Sequence, residues 1–508
     1  MSSSPFGGLF ALPREAPEPA YFPDLQLGQI VDAVVAGREG HHLRPAFHAR
    51  LTDTPAIRRR QAVFADLEDQ SLRTAARAFC DGLSRCRRQF EAAERVRHQH
   101  QAYRWRLNAV ASYTEVVEVI ALALDEAAPA SAALREWLTW LREYRAGPEF
   151  AAMSAGARDL LAELGELRYT LSISGDEIVA SPFAGQDDLN AATLAAFERF
   201  HSGDVPSPEF DLRAGAEMNQ LHAAVLDLVA QLFPEVFDRV ARFVDHHPAV
   251  RHPVIDEVER ELQFALSWWD FTSPMREAGL PFCVPETRPD RGLEVTETFD
   301  VLLARTLVAA GRRPVTNDVA LGEGESMLVV TGPNQGGKTT FARTVGQLCH
   351  LAALGLPVPG RSAALHAPDA ILTHFDRGDR AGDLTSRLED EVERMAALLA
   401  AAGERSVVIL NEMFSSTTWV DARAMSGDVL RAVLDAGAVG VCVTFIDELS
   451  RLDPRIVSLV TGIDAHDATR RTFEVTRGRA DGEAHALALA AKYGLTTEQL
   501  RARIEAHT

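Results

Sequence analysis

Hydrophobic and polar positions form two different patterns along this chain of 508 residues. From about residue 45 to residue 285, apolar residues recur every three or four positions, and this spacing predicts amphipathic helices. The clearest helical sets are Leu72, Ala76, Phe79 and Leu83, then Leu134, Trp137, Leu138 and Leu141, and then Val258, Leu262 and Leu266. From about residue 290 onwards, short apolar runs alternate with helical patterns, which is typical of an α/β domain.

The N-terminal region precedes the first clear helix. Its first twenty-odd residues are rich in Ser, Pro and Gly, a composition that predicts a tail or an extended lead-in. Thr54 followed by Pro55 then predicts a helix start, with Thr54 as the N-cap and proline at the first helical position. We therefore expect three segments: a lead-in over residues 1–44, a helical domain over 45–290 and an α/β domain over 291–508.

One segment interrupts the predicted helices. Residues 168–174 and 177–181 show alternating patterns on either side of Gly175 and Asp176, which predicts a short β-hairpin. Two interpretations stay open: the hairpin is either a stabilising flap or a tip that contacts a ligand or a partner.

Composition and charge restrict the class of protein. The formal net charge of −20 argues against a protein that coats nucleic acid by charge alone, so any DNA site must be a local cationic patch. The five cysteines are odd in number and include no C-x-x-C pair, which indicates free thiols in a reducing compartment. The sequence shows neither a basic leader nor an uninterrupted run of about 18 apolar residues. We therefore expect a cytoplasmic protein that does not span a membrane.

The densest cationic segment lies between residues 85 and 106. Its arginines, interleaved with histidines and aromatic residues, are Arg85, Arg87, Arg88, Arg95, Arg97, Arg104 and Arg106. In an acidic protein, this segment is the best candidate for a stripe of phosphate contacts along a helix. The alternative is a solvated helix face whose arginines pair with carboxylates.

The strongest chemical signal is the segment 331–340, which reads T-G-P-N-Q-G-G-K-T-T and matches G-x-x-x-x-G-K-[ST] completely. It follows the apolar run of residues 327–330 and precedes a helical pattern that begins at Phe341. A strand, a Gly-rich turn and a helix in this order form a phosphate cradle, the P-loop, because backbone N–H groups and the helix N-terminus point at the phosphates. Lys338 is expected to reach the β- and γ-phosphates of ATP, and the Thr339 hydroxyl to coordinate Mg²⁺. The residues predicted to bind the nucleotide are Gly332, Pro333, Asn334, Gly336, Gly337, Lys338, Thr339 and Thr340.

A second part of the site is predicted at the end of another strand. Residues 406–410 form a short apolar run that ends in Asn411 and Glu412, and we expect this strand to neighbour the strand that enters the P-loop. Glu412 is suited to be the general base that polarises the attacking water. Asn411 stands where an acidic residue of the Mg²⁺ shell is expected, and its uncharged amide predicts weaker metal binding.

Together these motifs resemble a known family. Residues 314–495 are similar to the ATPase domain of the MutS family, a branch of the ABC-type ATPases, and a weaker resemblance extends back to about residue 45. The P-loop resembles the family's T-G-P-N-M-G-G-K-S, residues 411–421 resemble D-E-x-G-R-G-T-S-T-x-D, and residues 444–449 resemble T-H-x-x-E-L. The fold that this implies is an α/β P-loop (ABC-type) ATPase domain, preceded by a mainly α-helical core and lever domain with a small β-hairpin insertion.

The resemblance implies two further positions of the nucleotide site. Residues 315–318 resemble the family's V-P-N-D, which implies that Asn317 contributes to ATP binding. Residues 382–391 fall where the family has S-T-F-M-x-E, and there a serine at a helix start faces the γ-phosphate held by the opposite subunit. Ser386 is the matching serine, so the resemblance implies a homodimer with composite ATP sites. The alternative is that Ser386 only caps its own helix.

The chain also departs from the family's pattern. Asn411 replaces an aspartate, Phe445 replaces the switch histidine, and residues 415–418 differ from the G-T-S-T loop. These changes predict slow ATP hydrolysis, with a switch that only binds ATP as the alternative. Because the sequence shows no counterpart of the family's mismatch-reading wedge, Phe-x-Glu, or of the nuclease domain of some relatives, we expect no mismatch-specific recognition.

Two functions are open at this point. The favoured one is a MutS-like ATPase that binds DNA as an ATP-gated dimeric clamp in DNA repair or recombination. The other is an ATP-dependent conformational switch that binds a protein partner, with little or no hydrolysis and no DNA. The arginine segment favours the first function, and the charge of −20 favours the second.

Overall fold

The computed structural model describes residues 8–174, 177–185, 220–248, 250–375, 387–464, 470–479 and 497–505. The chain divides into two compact units. The first unit comprises Met1–Phe6, Gln70–Pro129 and Leu134–Glu259, and the second comprises Gly7–Asp69, Ala130–Ala133 and Arg260–Thr508. These limits differ from the segments 1–44, 45–290 and 291–508, which stay a prediction from the sequence.

A mainly helical region is followed by an α/β region, as expected. The helices are α1 Phe22–Leu25, α2 Leu27–Val35, α3 Arg44–His48, α4 Thr54–Asp66, α5 Gln70–Arg95, α6 Gln99–Ala127, α7 Ala132–Ala146, α8 Pro148–Glu166, α9 Gln220–Leu232, α10 Pro234–His246, α11 Pro253–Glu277, α12 Val301–Ala309, α13 Lys338–Ala353, α14 Arg387–Ala401, α15 Trp419–Asp435 and α16 Thr497–Glu505. The strands are β1 Tyr169–Ser174, β2 Glu177–Pro182, β3 Phe282–Cys283, β4 Glu286–Arg288, β5 Leu293–Thr298, β6 Asn317–Ala320, β7 Met327–Thr331, β8 Val358–Pro359, β9 Ser362–His366, β10 Ile371–Phe375, β11 Val407–Asn411, β12 Val439–Val443, β13 Ile456–Ile463 and β14 Arg471–Arg477.

The long helices α5 and α6 pack closely against each other in the first unit. Their close approach depends on Gly82, where a Cβ would lie 2.2 Å from Val116 Cγ2. The predicted apolar face of α5 is confirmed, since Leu72, Ala76, Phe79 and Leu83 are all buried. The predicted face of α7 is confirmed as well, and its Trp137 ring meets the Phe79 ring edge to face at 5.5 Å between centroids.

Helix α6 is long and apolar enough, by length and composition alone, to cross a membrane. More than half of its most apolar stretch, 56%, is buried inside the protein, where Leu107, Tyr113 and Val117 are fully covered. A buried core helix passes the same test of length and composition, so α6 is weak evidence for a membrane span.

The predicted β-hairpin is confirmed. Strands β1 and β2 pair antiparallel, from Tyr169 opposite Pro182 to Ser174 opposite Glu177. The turn predicted at residues 175–176 lies outside the described residues.

The described part of the N-terminal segment packs into the core of the second unit, so of the two predicted possibilities, a tail or an extended lead-in, the tail is wrong for residues 8–12. Leu9, Phe10 and Leu12 are buried. The backbone N–H groups of Leu9, Phe10 and Ala11 donate to the Glu261 carboxylate at 2.6, 2.8 and 2.7 Å. A buried charge is stabilised when it is hydrogen-bonded, and three consecutive backbone donors satisfy this carboxylate.

The main sheet of the second unit has the strand order β10-β11-β12-β7-β13-β14. The first five of these strands are parallel, and β14 runs antiparallel to β13 at one edge. Strands β7, β11 and β12 are buried along their whole length, as expected of central parallel strands. A smaller sheet has the order β4-β9-β5-β6.

Three details of the sequence prediction are corrected here. Strand β12 lies between β7 and β11, so the strand that ends in Asn411 is not the direct neighbour of the strand that enters the Gly-rich loop. Helix α13 begins at Lys338 rather than at Phe341. The N-cap of α4 is Asp53 rather than Thr54, because the Asp53 carboxylate accepts the Ala56 N–H at 3.1 Å.

Candidate nucleotide site

The Gly-rich loop 331–340 leaves the carboxyl end of β7 and leads into α13. Gly332 and Gly337 have positive φ values of 121° and 93°, which side chains rarely tolerate. A Cβ at Gly332 would lie 2.4 Å from Thr461 Oγ1, and a Cβ at Gly336 would lie 2.6 Å from the same atom. Glycine is therefore required at these positions by backbone conformation and by the close approach of β13.

Lys338 bridges the two ends of the loop. Its Nζ donates to Gly332 O at 2.7 Å, to Pro333 O at 3.1 Å and to Asn334 Oδ1 at 3.4 Å. Burial lowers the pKa of Lys338, and the negative charge of Glu412 opposes that shift. The ammonium thus lies inside the loop, within the electrostatic reach of Glu412.

Thr339 and Asn411, the two predicted metal ligands, lie together. The Thr339 hydroxyl donates to Asn411 Oδ1 at 3.0 Å. Asn411 is buried at the end of β11, and Thr339 is in the first turn of α13. A hydroxyl and an amide oxygen are hard oxygen donors that suit Mg²⁺, so these residues fit the metal that the sequence motif implies.

Glu412 lies on the wall of the same cavity as the Gly-rich loop. Its backbone adopts a left-handed conformation with φ of 53°, and its N–H donates to Val443 O at 2.9 Å. Two residues later, Phe414 is also left-handed, with φ of 55°, and its side chain is buried at 2% exposure. Position 414 corresponds to glycine in the pattern D-E-x-G, so this chain holds a phenylalanine in a conformation that glycine adopts readily.

A cavity of about 610 Å³ adjoins the loop and contains the predicted residues from Asn334 to Thr340 on its wall. This volume is within the range of pockets that enclose small molecules and cofactors. Asn317 also lines the cavity, but its amide is used by strand β14: Nδ2 donates to Phe473 O at 3.1 Å, and Oδ1 accepts the Val475 N–H at 2.6 Å. Asn317 thus fixes the strand that carries Phe473.

Phe473 is a cavity residue that the sequence reasoning missed. Its ring is 49% exposed on the cavity side of β14, and its backbone is left-handed with φ of 61°. The sequence signal was a large aromatic residue in the mainly polar stretch Arg471–Arg477, whose other apolar residue is Val475. Such a signal is weak, because single exposed apolar residues are common on protein surfaces.

The other predicted positions either lie away from the cavity or fall outside the described residues. Ser386 precedes the described start of α14 and is not among the described residues, so its role stays a prediction. Thr418 is the N-cap of α15, because its Oγ1 accepts the Asp421 N–H at 3.3 Å and donates to the Asp421 carboxylate at 2.7 Å. Phe445, which stands in place of the switch histidine, is 43% exposed and lies 5.8 Å from the Trp419 ring.

The cationic segment divides into paired and unpaired arginines. Arg87 donates to the buried Glu259 carboxylate at 2.5 Å, and Arg95 pairs with Glu91 one helical turn away at 3.3 Å. These two agree with the solvated or paired interpretation. Among the residues that the structure describes, the exposed side chains of Arg88, Arg97 and Arg104 form no hydrogen bond or ion pair. These three, together with the exposed Arg85 and the half-buried Arg106, which likewise form none among the described residues, remain candidates for phosphate contacts.

Comparison with known proteins shows which family part of the chain resembles. Residues 328–502 match the family model described as MutS domain V. The chain is 28% identical over 287 residues to the DNA mismatch repair protein MutS of Synechococcus sp. (strain CC9605), a match that covers 56% of this chain and 29% of the relative. It is 26% identical over 387 residues to the Endonuclease MutS2 of Thermomicrobium roseum, covering 75% of this chain and 47% of the relative.

A third relative is the DNA mismatch repair protein MutS of Chlorobaculum tepidum, which is 26% identical over 388 residues. That match covers 72% of this chain and 42% of the relative, so the chain spans less than half the length of each of these curated relatives. Domain V contains the Gly-rich loop from Gly332 onwards, Asn411, Glu412 and Phe473, and the longer matches extend into the region before it. Residues 328–502 therefore match a MutS domain V, and similarity to proteins named MutS and MutS2 extends over as much as 75% of the chain.

Proposed function

We propose that loop 331–340 binds ATP with Mg²⁺ and that Glu412 promotes hydrolysis of the bound ATP. The observation that supports this most strongly is the hydrogen bond between Thr339 and Asn411, which are 72 residues apart, with Glu412 on the wall of the same cavity. Chance does not explain why a hydroxyl, an amide oxygen and a carboxylate lie beside a lysine at this Gly-rich turn.

The loop and the start of α13 supply the groups that bind the phosphates. Unpaired N–H groups at the helix start and the helix dipole favour an anion there. Lys338 is already held at the loop by the carbonyls of Gly332 and Pro333. A phosphate oxygen is a stronger acceptor than a carbonyl, because the hydrogen bond then joins opposite charges, so we expect the ammonium to turn towards the phosphates when ATP binds.

Phe473 is the side chain suited to stack against the adenine base of ATP. It is aromatic, half-exposed and part of the same cavity wall as the loop. Stacking of a base on an aromatic side chain contributes about 1–3 kcal/mol. Asn317 then acts indirectly, by holding the backbone of β14 at Phe473 and Val475.

Hydrolysis depends on neutralisation of the phosphate charge and on a general base. Mg²⁺ held at this site would neutralise charge that develops on the phosphates. Thr339 and Asn411 are the residues that would hold it, and because neither is charged we expect weak metal binding. Glu412 accepts the proton of the attacking water, a role that a half-buried carboxylate on the cavity wall can perform. The proposed hydrolysis is slow, since Asn411 and Phe445 replace a charged and a titratable residue of the family's pattern.

The wider proposal is a cytoplasmic homodimer that binds DNA in repair or recombination without mismatch-specific recognition, with ATP shared between composite sites. It is supported by the family, whose named relatives include DNA mismatch repair proteins and endonucleases. It is also supported by Arg88, Arg97 and Arg104, exposed residues whose guanidinium groups have no partner among the described residues. Phosphate contacts by such groups supply sequence-independent affinity for DNA.

A specific observation favours the second function, an ATP-dependent switch that binds a protein partner. Trp419, Val420 and Phe445 are 47%, 72% and 43% exposed, and the two rings lie 5.8 Å apart. Exposed apolar clusters of this kind are typical of protein interfaces, and the net charge of −20 opposes binding to DNA.

A DNA titration over a salt series, with and without ATP·Mg²⁺, separates the two functions. The DNA proposal predicts a linear fall of log Kobs with log salt, and replacing Arg88, Arg97 and Arg104 by Gln should reduce the slope by about 0.9 for each lost phosphate contact. The matched control is Arg95→Gln, because Arg95 is already paired with Glu91 and should alter the slope less. Absence of DNA binding at low salt, or an unchanged slope in the triple variant, would favour the protein-partner function.

A further inference from the structure

A buried carboxylate outside the predicted site contacts the loop that carries Glu412. Glu391, on α14, is 7% exposed. Its Oε1 accepts the backbone N–H of Phe414 at 2.5 Å and lies 3.1 Å from His374 Nε2. Its Oε2 lies 3.4 Å from Ser416 Oγ, which donates to it. The Glu391 carboxylate on α14 therefore contacts β10 and two residues of the loop after Glu412.

His374 orients this carboxylate. It lies in β10 and is only 2% exposed. Burial raises the pKa of Glu391, but the hydrogen bonds from His374 and from the Phe414 N–H outweigh that effect, so the pKa of Glu391 is below its usual value. The group is thus a carboxylate, which accepts hydrogen bonds and donates none.

The loop needs an external restraint of this kind. Glu412 and Phe414 are both left-handed, a conformation that is unfavourable for residues with a side chain. On one side, the Glu412 N–H is fixed by Val443 O at 2.9 Å. On the other side, Glu391 fixes the Phe414 N–H, while the Met413 and Phe414 side chains are buried in the apolar cluster that includes Met395. The backbone of Glu412 is therefore held between β12 and α14.

We propose that Glu391, oriented by His374, is a positioning residue for ATP hydrolysis: it holds the left-handed loop so that Glu412 faces the nucleotide cavity. This inference rests on the proposed function, since it assigns Glu391 a role that acts through Glu412. Glu391 does not line the cavity, so it affects the rate of the chemical step and not the binding of ATP.

The test compares kcat, KM and ATP affinity for substitutions at Glu391 in the full chain. Glu391→Ala leaves the buried Phe414 N–H without its acceptor, and we expect kcat to fall by about tenfold or more while the Kd for ATP·Mg²⁺ changes by less than about threefold. Glu391→Gln keeps an oxygen for the Phe414 N–H and should restore part of kcat. The matched control is Glu393→Ala, because Glu393 is exposed on the same helix and should leave kcat unchanged.

A double variant shows whether Glu391 acts through Glu412. In single-turnover measurements, Glu391→Ala should reduce the rate of hydrolysis when Glu412 is present and should have no effect when Glu412 is replaced by Gln. The double variant should therefore hydrolyse ATP as slowly as Glu412→Gln alone. Should Glu391→Ala fail to fold, His374→Ala serves as the second variant, with a smaller loss of kcat expected at unchanged Kd.

Failure of this inference and failure of the proposed function give different results. A slow Glu412→Gln variant combined with unchanged kcat in Glu391→Ala overturns the inference alone. Parallel losses of kcat and ATP affinity in Glu391→Ala, with no rescue by Gln, show a merely structural role and also overturn it. A Glu412→Gln variant that hydrolyses ATP at the wild-type rate, or a wild-type chain without hydrolysis, overturns the assignment of Glu412 and this inference with it.

Discussion

Phe414 offers a direct test of the loop conformation, because replacing it by Gly and by Ala should reverse the usual order of stability. The side chain is buried in the apolar cluster beside β11, and the backbone is left-handed with φ of 55°. Both substitutions remove the buried ring, which costs about 3–5 kcal/mol for Phe→Ala in a core. They differ in the backbone, since only Gly adopts the left-handed region without strain.

The magnitude of that difference follows from two opposing effects. A residue with a Cβ loses about 1–2 kcal/mol in the left-handed conformation. Glycine, in turn, loses about 0.4–1 kcal/mol through the greater freedom of its unfolded chain. We expect the strain to dominate, so Phe414→Gly should be more stable than Phe414→Ala by about 1 kcal/mol.

Urea denaturation of the two variants measures this difference, and Met395 provides the control. Met395 belongs to the same cluster and is equally buried, but it lies inside helix α14. There Gly should be less stable than Ala by about 1 kcal/mol. The two pairs should thus differ in sign, with a double difference of about 2 kcal/mol. A Gly variant that is less stable than the Ala variant at both positions would refute the strained conformation at Phe414.

Three further predictions concern the cavity and the core. Lys338→Ala should abolish ATP binding in a calorimetric titration, because the ammonium is the loop's only side-chain cation among the described residues, and unchanged affinity would refute the assignment. Phe473→Ala should weaken the binding of ATP by about 1–3 kcal/mol. It should weaken the binding of inorganic triphosphate much less, because only the adenine base is expected to contact the Phe473 ring. Burial lowers the pKa of His350 to about 3. The unfolded chain therefore binds a proton below about pH 6.5 that the folded protein does not bind, and between pH 7.0 and 5.5 the protein should lose about 1.2 kcal/mol of stability relative to a His350→Gln variant in urea denaturation. Equal pH dependence of the two proteins would show that His350 is accessible to protons in the folded state.

The parts of the site that are local in sequence could be predicted from it. The loop 331–340 carries its own conformational requirements, and the structure shows them at Gly332 and Gly337. The apolar face of α5 could be predicted for the same reason, because helical spacing brings its residues together without reference to the rest of the chain.

Features that depend on distant residues could not be predicted in this way. The order of parallel strands is set by packing across the whole sheet, which is why β12 was not placed between β7 and β11. The packing of the N-terminal segment, predicted as a tail or an extended lead-in, could not be foreseen because its partner, Glu261, lies about 250 residues away in sequence. Phe473 escaped for the same reason, and Glu391 entered only as the last residue of segment 382–391, because the contacts of both appear only when β14 and α14 are seen beside the loops they contact.

The assignment of Glu412 is tested most directly by single-turnover ATP hydrolysis combined with measurement of ATP affinity, on the wild-type chain and on Glu412→Gln. The wild-type chain should hydrolyse bound ATP, and Glu412→Gln should bind ATP with similar affinity but hydrolyse it about 10² to 10⁴ times more slowly, because it lacks the general base. Hydrolysis at the same rate in both proteins, or loss of ATP binding in Glu412→Gln, would contradict a catalytic carboxylate on the wall of this cavity.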